Sequence, residues 1–311
     1  MAEAFSIVEH AEVPADRAAD ELAGFLARHS RTLVLTGAGL STASGIPDYR
    51  DRDGVRRGRL PIQGPEFRRD AAIQRRYWAR SMVGWPVLSR ARPNAGHRAL
   101  AALETAGKLG FILTQNVDGL HQQAGSHAVL ELHGNIHHVA CLACDARFPR
   151  AFIQTQLQQA NPELNETMAR PLPDGDAALD TDTLSEVLAN FVLPACVHCG
   201  GTLMPDVVFF GDNVPPARTA CALAQMEAAD ALLVVGSSLM VYSGFRFCRM
   251  AQAAGKPIAA VNLGRTRADD LLALKLEASS EQLLPMVAQL LNADERPLVL
   301  PSELLDHRGT L

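Results

Sequence analysis

Six short apolar runs punctuate the chain, and each ends in small or polar residues: "RTLVLTGAG", "LGFILTQN", "AVLELHG", "DVVFFGD", "ALLVVGSS" and "PIAAVNLG". Between several of them the apolar positions recur at helical spacing, over 14–29, 94–106, 217–229, 244–254 and 279–292. Strands that are apolar throughout, alternating with helices, predict a parallel sheet covered on both faces, a Rossmann-like α/β fold. In open sheets of this kind ligands sit beyond the carboxyl ends of the strands, and every motif below falls at such an end.

Two segments break the alternation. Residues 51–91 are dense in arginine and aromatics ("RRDAAIQRRYWARSMVGWP") and read as helices with loops. Residues 139–203 hold two C-x-x-C pairs around the Pro/Asp/Gly-rich stretch "NPELNETMARPLPDGDAALDTD". Both read as inserted modules, the first helical and the second holding the paired cysteines. The sheet domain is then discontinuous, over 1–50, 92–138 and 204–311. The tail "LVLPSELLDHRGTL" carries no signal.

Composition narrows the function classes. A chain of 311 residues with 48% hydrophobic and 20% charged residues is ordinary for a soluble globular protein. A formal net charge of −5 argues against broad phosphate-backbone binding, so no direct nucleic-acid partner is expected. No apolar run reaches the ~18 residues of a membrane span. The acidic start "MAEAFSIVEHAEVPADRAAD" resembles neither a secretory signal nor a transit peptide, and a cytoplasmic enzyme is the expectation.

Gly37, Gly39 and Gly45 give G-x-G followed by a longer gap than the dinucleotide fingerprint uses. The early pair permits a tight turn and close backbone approach, with helix N–H groups aimed at a pyrophosphate. The acidic residue expected ~20 positions on, which would bind a ribose in a dehydrogenase, has no clear counterpart. "SGIPDYR" follows instead and suggests a loop over the ligand; a plain structural turn is the alternative. Cys141, Cys144, Cys196 and Cys199 supply four thiolates, which suits a closed, structural zinc site, with redox use of one pair as the alternative. In "TQNVDGLH", Gln115, Asn116 and Asp118 crowd a strand end, which is poor packing material and good ligand-binding material. "ELHGN" sets His133 after another apolar run. Alone it would be a core histidine; beside a nucleotide crevice it is a candidate general base.

Taken in order, "GAGLSTASGIPDYR", "TQNVDGLH", "ELHGN", the two C-x-x-C pairs, "PDVVFFGD", "VVGSSLMVYSG" and "VNLG" resemble the sirtuins, the NAD-dependent protein deacylases, over nearly the whole chain. "RRYWARSMVGWP", "PLPDGD", "SSLMVYSGFRF" and "TRADDLLALKLEASSEQLLP" are most similar to class II, whose animal member is mitochondrial; that member's targeting leader is not expected here. The resemblance implies that Gly37, Ala38, Gly39 and Ser41 lie at the cofactor, with the glycine turn on the pyrophosphate. Asp48, Tyr49 and Arg50 would belong to the cofactor loop. Gln115, Asn116, Val117 and Asp118 would shape the nicotinamide and ribose pocket. Gly236, Ser237 and Ser238 would contact phosphate and ribose, Asn262, Leu263 and Gly264 the adenosine half, and Ser280 would close over adenine. His133 matches the catalytic base, with Asn116 and Asp118 beside it. Val207, Val208 and Phe209 would border the acyl-lysine tunnel. Tyr49 stands where the family commonly has phenylalanine, and "GSS" where it has G-T-S; both also occur in class II.

NAD would then be consumed as a co-substrate. The acyl-lysine carbonyl oxygen displaces nicotinamide from the ribose, His133 deprotonates a ribose hydroxyl, and free lysine and O-acyl-ADP-ribose leave. The partner is an acyl-lysine protein or peptide, bound extended between "VVFFG" and "SLMVYSG". Tyr77 and Arg80 have the Tyr-x-x-Arg spacing by which class III sirtuins read an acidic acyl group; the alternative is a solvated arginine on an Arg-rich helix. Rival readings are NAD-dependent mono-ADP-ribosylation of protein, a non-catalytic NAD- and zinc-containing binding protein, and, more distantly, a dehydrogenase.

Overall fold

The computed structural model describes residues 14–58, 60–165, 170–171, 177–178 and 188–291. Most of "PLPDGD", the first 13 residues and the tail lie outside the described residues.

The larger part is a parallel six-stranded sheet. Its strands are β1 (Thr32–Thr36), β2 (Phe111–Thr114), β3 (Val129–Glu131), β9 (Ala231–Val235), β10 (Ile258–Val261) and β11 (Leu274–Leu276), in the spatial order β11-β10-β9-β1-β2-β3. All five pairings are parallel. Successive side chains of a strand point to opposite faces, and here both faces are dry. Val34, Ile112, Leu233, Val235, Ala259 and Val261 pack under α1 (Ala15–Arg28), α4 (Ala95–Thr105) and the last described helix, α9 (Ser280–Leu290). Leu33, Leu35, Leu113, Leu232, Val234, Ile258 and Ala260 pack under α7 (Pro216–Ala228) and α8 (Tyr242–Ala253). Two-sided burial explains why the sequence runs are continuous in apolar residues instead of alternating. In α1 the residues Ala18, Ala19, Leu22, Ala23, Phe25 and Leu26 recur three and four apart and are buried, so one stripe of that helix faces the sheet.

The chain builds outward from β1 in both directions, through β2 to β3 and through β9 to β11. The strand order therefore reverses between β1 and β9, where an open sheet leaves a crevice.

A second, smaller core joins the two inserted segments. It contains Phe67 of α2 (Gly64–Arg69), Trp78, Ala79, Met82 and Val83 of α3 (Ala71–Arg90), and Ile153 and Leu157 of α6 (Arg150–Ala160). Around them stands an antiparallel sheet in the order β5-β4-β8, made of β4 (Gly134–Cys141), β5 (Arg147–Pro149) and β8 (Leu203–Val207). Two short strands, β6 (Arg170–Pro171) and β7 (Ala177–Ala178), pair antiparallel nearby. The helical and cysteine-bearing segments thus form one small domain.

Two local expectations change. The run containing "DVVFFGD" does not join the parallel sheet: β8 pairs with β4. A short apolar run bounded by turns carries no information about which sheet it enters. Nor does β1 lead directly into an α-helix. Two 3₁₀ turns, Ala38–Leu40 and Thr42–Ser44, take its place.

Candidate active site

The glycine loop leaves β1 at the crevice and meets the loop leaving β9. Gly37 N donates to Val235 O at 3.0 Å, and Gly39 N to Gly236 O at 2.8 Å. A Cβ on Gly39 would stand 2.9 Å from Gly236 O, and one on Gly37 2.8 Å from it. Gly236 itself has φ +59°, and a side chain there would collide with the Leu40 amide. Glycine is therefore required by contact between two loops as much as by a ligand. The amides of Leu40 and Ser41 are also spent within the 3₁₀ turn, on Gly37 O and Ala38 O. The expected cradle of helix N–H groups is thus reduced, because a 3₁₀ turn closes its own donors. Gly236→Ala is expected to weaken binding of the dinucleotide that the sequence predicts here about tenfold or more through backbone strain; calorimetric titration with NAD checks this.

Asn94 fixes the loop from outside. It caps α4 by accepting from Gly96 N at 2.9 Å, and its Nδ2 donates to Leu40 O at 2.7 Å and Ser44 Oγ at 3.1 Å.

The pocket beside this loop is lined by Gly39, Asp48, Gly236, Asn262, Leu263 and Ser280, among others, so six of the expected cofactor residues converge there. Asn262 follows β10, and its Nδ2 donates to Gly264 O at 3.2 Å. Ser280 opens α9 and is buried. The loop expected over the cofactor borders the pocket at Asp48, which accepts from Arg57 at 3.0 Å, and Arg50 Nη1 donates to Gly54 O at 2.8 Å. Arg265 N donates to Arg52 O at 2.7 Å, which ties that loop to the turn at Gly264. Tyr49 is exposed, with the Arg56 guanidinium 6.0 Å from its ring centre. Ser238 O accepts from Arg267 N at 2.9 Å.

The polar cluster after β2 packs against the glycine loop and forms a floor under it. Asn116 Nδ2 donates to Gly37 O and to Ser41 Oγ, both at 3.0 Å, and Ser41 Oγ donates to Asp118 Oδ2 at 2.7 Å. Asp118 Oδ1 accepts from Leu120 N at 3.0 Å, and its carbonyl faces His137 Nε2 at 3.0 Å. Asn116, Asp118 and Ser41 are all buried, so each needs the partners it has. Val117 O accepts from Ile136 N at 2.8 Å, which joins this floor to β4. Gln115 turns the other way, toward the loop after β9, where its Oε1 accepts from Ser237 Oγ at 2.7 Å.

His133 follows β3, and its ring is held at both nitrogens. Nδ1 lies 2.9 Å from Gln115 O and Nε2 lies 2.8 Å from Ser243 Oγ. Burial lowers its pKa from the ordinary imidazole value, the Gln115 carbonyl opposes this, and the Arg218 guanidinium adds to the lowering. The ring is neutral at neutral pH, as a proton acceptor must be.

Behind the floor lies a buried pair. The rings of His97 on α4 and His121 on the short helix α5 (Leu120–Gln123) meet edge-on, 5.1 Å apart. His121 Nε2 lies 2.9 Å from Thr36 Oγ1, which donates to Thr114 Oγ1 at 2.8 Å. Both nitrogens of His97 and Nδ1 of His121 have no hydrogen-bond partner among the described residues. Burial pushes His97 down to about 4 and His121 to about 3.

On the small-domain side, Phe209 is buried against Phe67 and Tyr77, with ring centres 5.2 and 5.4 Å away. Val207 and Val208 lead into it, and Val208 N donates to His133 O at 2.8 Å. Arg80 is half-buried one helical turn beyond Tyr77. The four cysteines come together: Cys141 Sγ is 3.5 Å from Cys199 Sγ, Cys144 Sγ is 3.7 Å from Cys196 Sγ, and all four sulfurs lie within 4.8 Å of one another. Tetrahedral zinc with Zn–S of ~2.3 Å needs sulfurs about 3.8 Å apart, so the set fits one zinc with no open position. Stripping with a chelator is expected to release about one zinc per chain and to melt the small domain before the parallel sheet; metal analysis with hydrogen exchange checks this.

Sequence reasoning missed Ser243, His97 and His137, whose parts depend on partners distant in the chain.

A parallel sheet with a ligand crevice at its switch point, a buried polar floor, a neutral histidine and a separate four-cysteine module defines a nucleotide-using α/β enzyme class with a structural metal. The chain belongs to the Sir2 family, whose model matches residues 37–243. It is 56% identical over 265 residues to an "NAD-dependent protein deacetylase" of Xanthomonas campestris pv. campestris (strain 8004), covering 85% of this chain and 89% of that one. A protein of the same name from Bordetella bronchiseptica is 53% identical, with 86% and 96% covered. Among solved structures, a Sir2 complex with a p53 peptide and NAD+ has 29% identity and a TM-score of 0.66, with 86% of this chain and 96% of that chain covered. A Sir2 histidine-to-alanine variant with a deacetylated p53 peptide and 3'-O-acetyl-ADP-ribose has 28% identity and a TM-score of 0.68, with 87% and 97% covered.

Proposed function

We propose that this chain is an NAD-dependent protein-lysine deacylase, with NAD as a substrate consumed at each turnover. Acyl-lysine, NAD and water give free lysine, nicotinamide and O-acyl-ADP-ribose. The observation that carries this reading is a buried imidazole, fixed at both nitrogens, at the carboxyl edge of the same sheet whose other strand ends line the pocket. The names of the relatives and the contents of the related structures support it.

In this reading the Gly37–Ala38–Gly39 turn and the Gly236–Ser237–Ser238 loop enclose the phosphates. Asn262, Leu263, Gly264 and Ser280 hold the adenosine half, and Asp48, Tyr49 and Arg50 cover the bound nucleotide. Gln115, Asn116, Val117 and Asp118 orient the nicotinamide ribose and keep water out, so that the amide oxygen of the substrate is favoured over hydrolysis. His133 is the base, with Nε2 taking up the proton that the ribose hydroxyl gives up. The peptide lies extended between residues 207–210 and 238–241, with Val207, Val208 and Phe209 against its acyl-lysine. The zinc is structural. The class II subfamily, supported by Tyr49, "GSS" and "RRYWARSMVGWP", and action in the cytoplasm are parts of the same proposal.

A panel of acetyl-, succinyl-, glutaryl- and lipoyl-lysine peptides tests it by nicotinamide release. Release should require an acyl-lysine peptide; release independent of acylation would count against the reading. Tyr77 packs on Phe67 and Phe209, so its ring is occupied in the aromatic cluster. Arg80→Met is therefore expected to leave the ranking of succinyl and glutaryl peptides unchanged.

A further inference from the structure

Ser243 is the second residue of α8, where a serine commonly serves its own helix. Here the N-cap is Val241, no side chain caps the helix, and the Ser243 hydroxyl reaches across to His133. The proton positions on the ring follow from its other contact. Gln115 O can only accept, so Nδ1 of the neutral ring carries the hydrogen and Nε2 carries the lone pair. Ser243 O–H therefore donates to Nε2, the atom that must receive a proton in catalysis. An imidazole nitrogen has one lone pair, and a ribose hydroxyl cannot use it while Ser243 does.

Ser243 is held in place. Gly244, the next residue, is buried, and a Cβ on it would stand 2.5 Å from Gln115 Nε2. Gln115 is tied in turn to Ser237 and, through its carbonyl, to His133. Base, amide and hydroxyl are thus parts of one packed wall, joined by residues at 115, 133, 237 and 243.

We propose that Ser243 relays the proton from the ribose hydroxyl to His133. The hydroxyl oxygen of Ser243 accepts the ribose proton as its own proton passes to Nε2. The products of the step are a ribose alkoxide, a neutral serine and an imidazolium, so charge and protons balance without a further reactant. This inference rests on the reading of His133 as the base.

The test compares His133→Ala, Ser243→Ala and Ser243→Thr. In the ligand-free protein, nitrogen NMR of labelled histidine should show Nδ1 protonated and Nε2 unprotonated and hydrogen-bonded. Ser243→Ala should move the Nε2 signal alone, and Ser243→Thr should restore it. In single turnovers, Ser243→Ala should slow O-acyl-ADP-ribose formation at least about tenfold, within the roughly 10²–10⁴-fold that positioned proton transfer supplies. Nicotinamide exchange into NAD, which precedes the base step, should persist, and the threonine variant should regain product formation. If His133→Ala forms product normally, the parent reading fails. If His133→Ala is inactive while Ser243→Ala forms product at or above the parental rate, the relay is wrong and Ser243 is merely displaced. An unmoved Nε2 signal in a folded Ser243→Ala protein also overturns the relay.

Discussion

Replacing His133 with alanine is expected to lower product formation by about 10²–10⁴-fold while leaving NAD affinity nearly intact. The separation arises because the imidazole is anchored by Gln115 O and Ser243 Oγ and serves neither the glycine loop nor the pocket lined by Asn262 and Ser280. Burial keeps the ring neutral, so the protein already holds the form that accepts a proton. Asn116 makes the opposite case. Its amide joins Gly37 O to Ser41 Oγ, so Asn116→Ala would loosen the loop itself and should impair NAD binding together with turnover. Kinetic constants and NAD titrations on the two variants measure the contrast. Equal loss of NAD affinity in both would remove the assignment of His133 as a base.

The second large effect is on stability in acid. His97 and His121 are fully buried, with native pKa values of about 4 and about 3, against about 6.5 in the unfolded chain. As pH falls below about 6.5, the unfolded chain takes up protons that the native protein refuses, so stability falls. It is fully present above that value and is lost progressively as the pH drops toward the native pKa values. At pH 5 each histidine costs about 2 kcal/mol, or about 4 kcal/mol together, a large part of a typical folding free energy. Urea unfolding at pH 7, 6 and 5 reads this out. His97→Phe should remove about half of the pH dependence, apart from the share due to carboxylates. An unchanged slope in that variant would mean that the buried pair does not set acid sensitivity.

How far the sequence could be read depended on how local each feature was. Strand ends followed by Gly37, Gln115, His133, Gly236 and Asn262 were legible because apolar runs and the residues after them lie within ten positions of one another. The cysteine cluster was legible because four thiols in two pairs have few other uses. What escaped depends on contacts between distant segments. The strand at Leu274–Leu276 is a three-residue edge inside "LLALKLEAS", too short for any periodic signal. The run "DVVFFGD" reads as another parallel strand, but the strand that includes its first two residues, Leu203–Val207, pairs with β4. Arg150 lies on α6 among "FPRAF", yet it is buried with its guanidinium 5.4 Å from the Trp78 ring centre and 4.9 Å from that of Trp85. Nothing near it in sequence suggests that. Ser243 meets His133 across 110 positions.

The most direct measurement is the identity of the products when the protein, NAD and an acetyl-lysine peptide are mixed and resolved by mass spectrometry. The account predicts one O-acetyl-ADP-ribose and one nicotinamide for every lysine freed. ADP-ribose attached to protein, with the acetyl group still on its lysine, would contradict it.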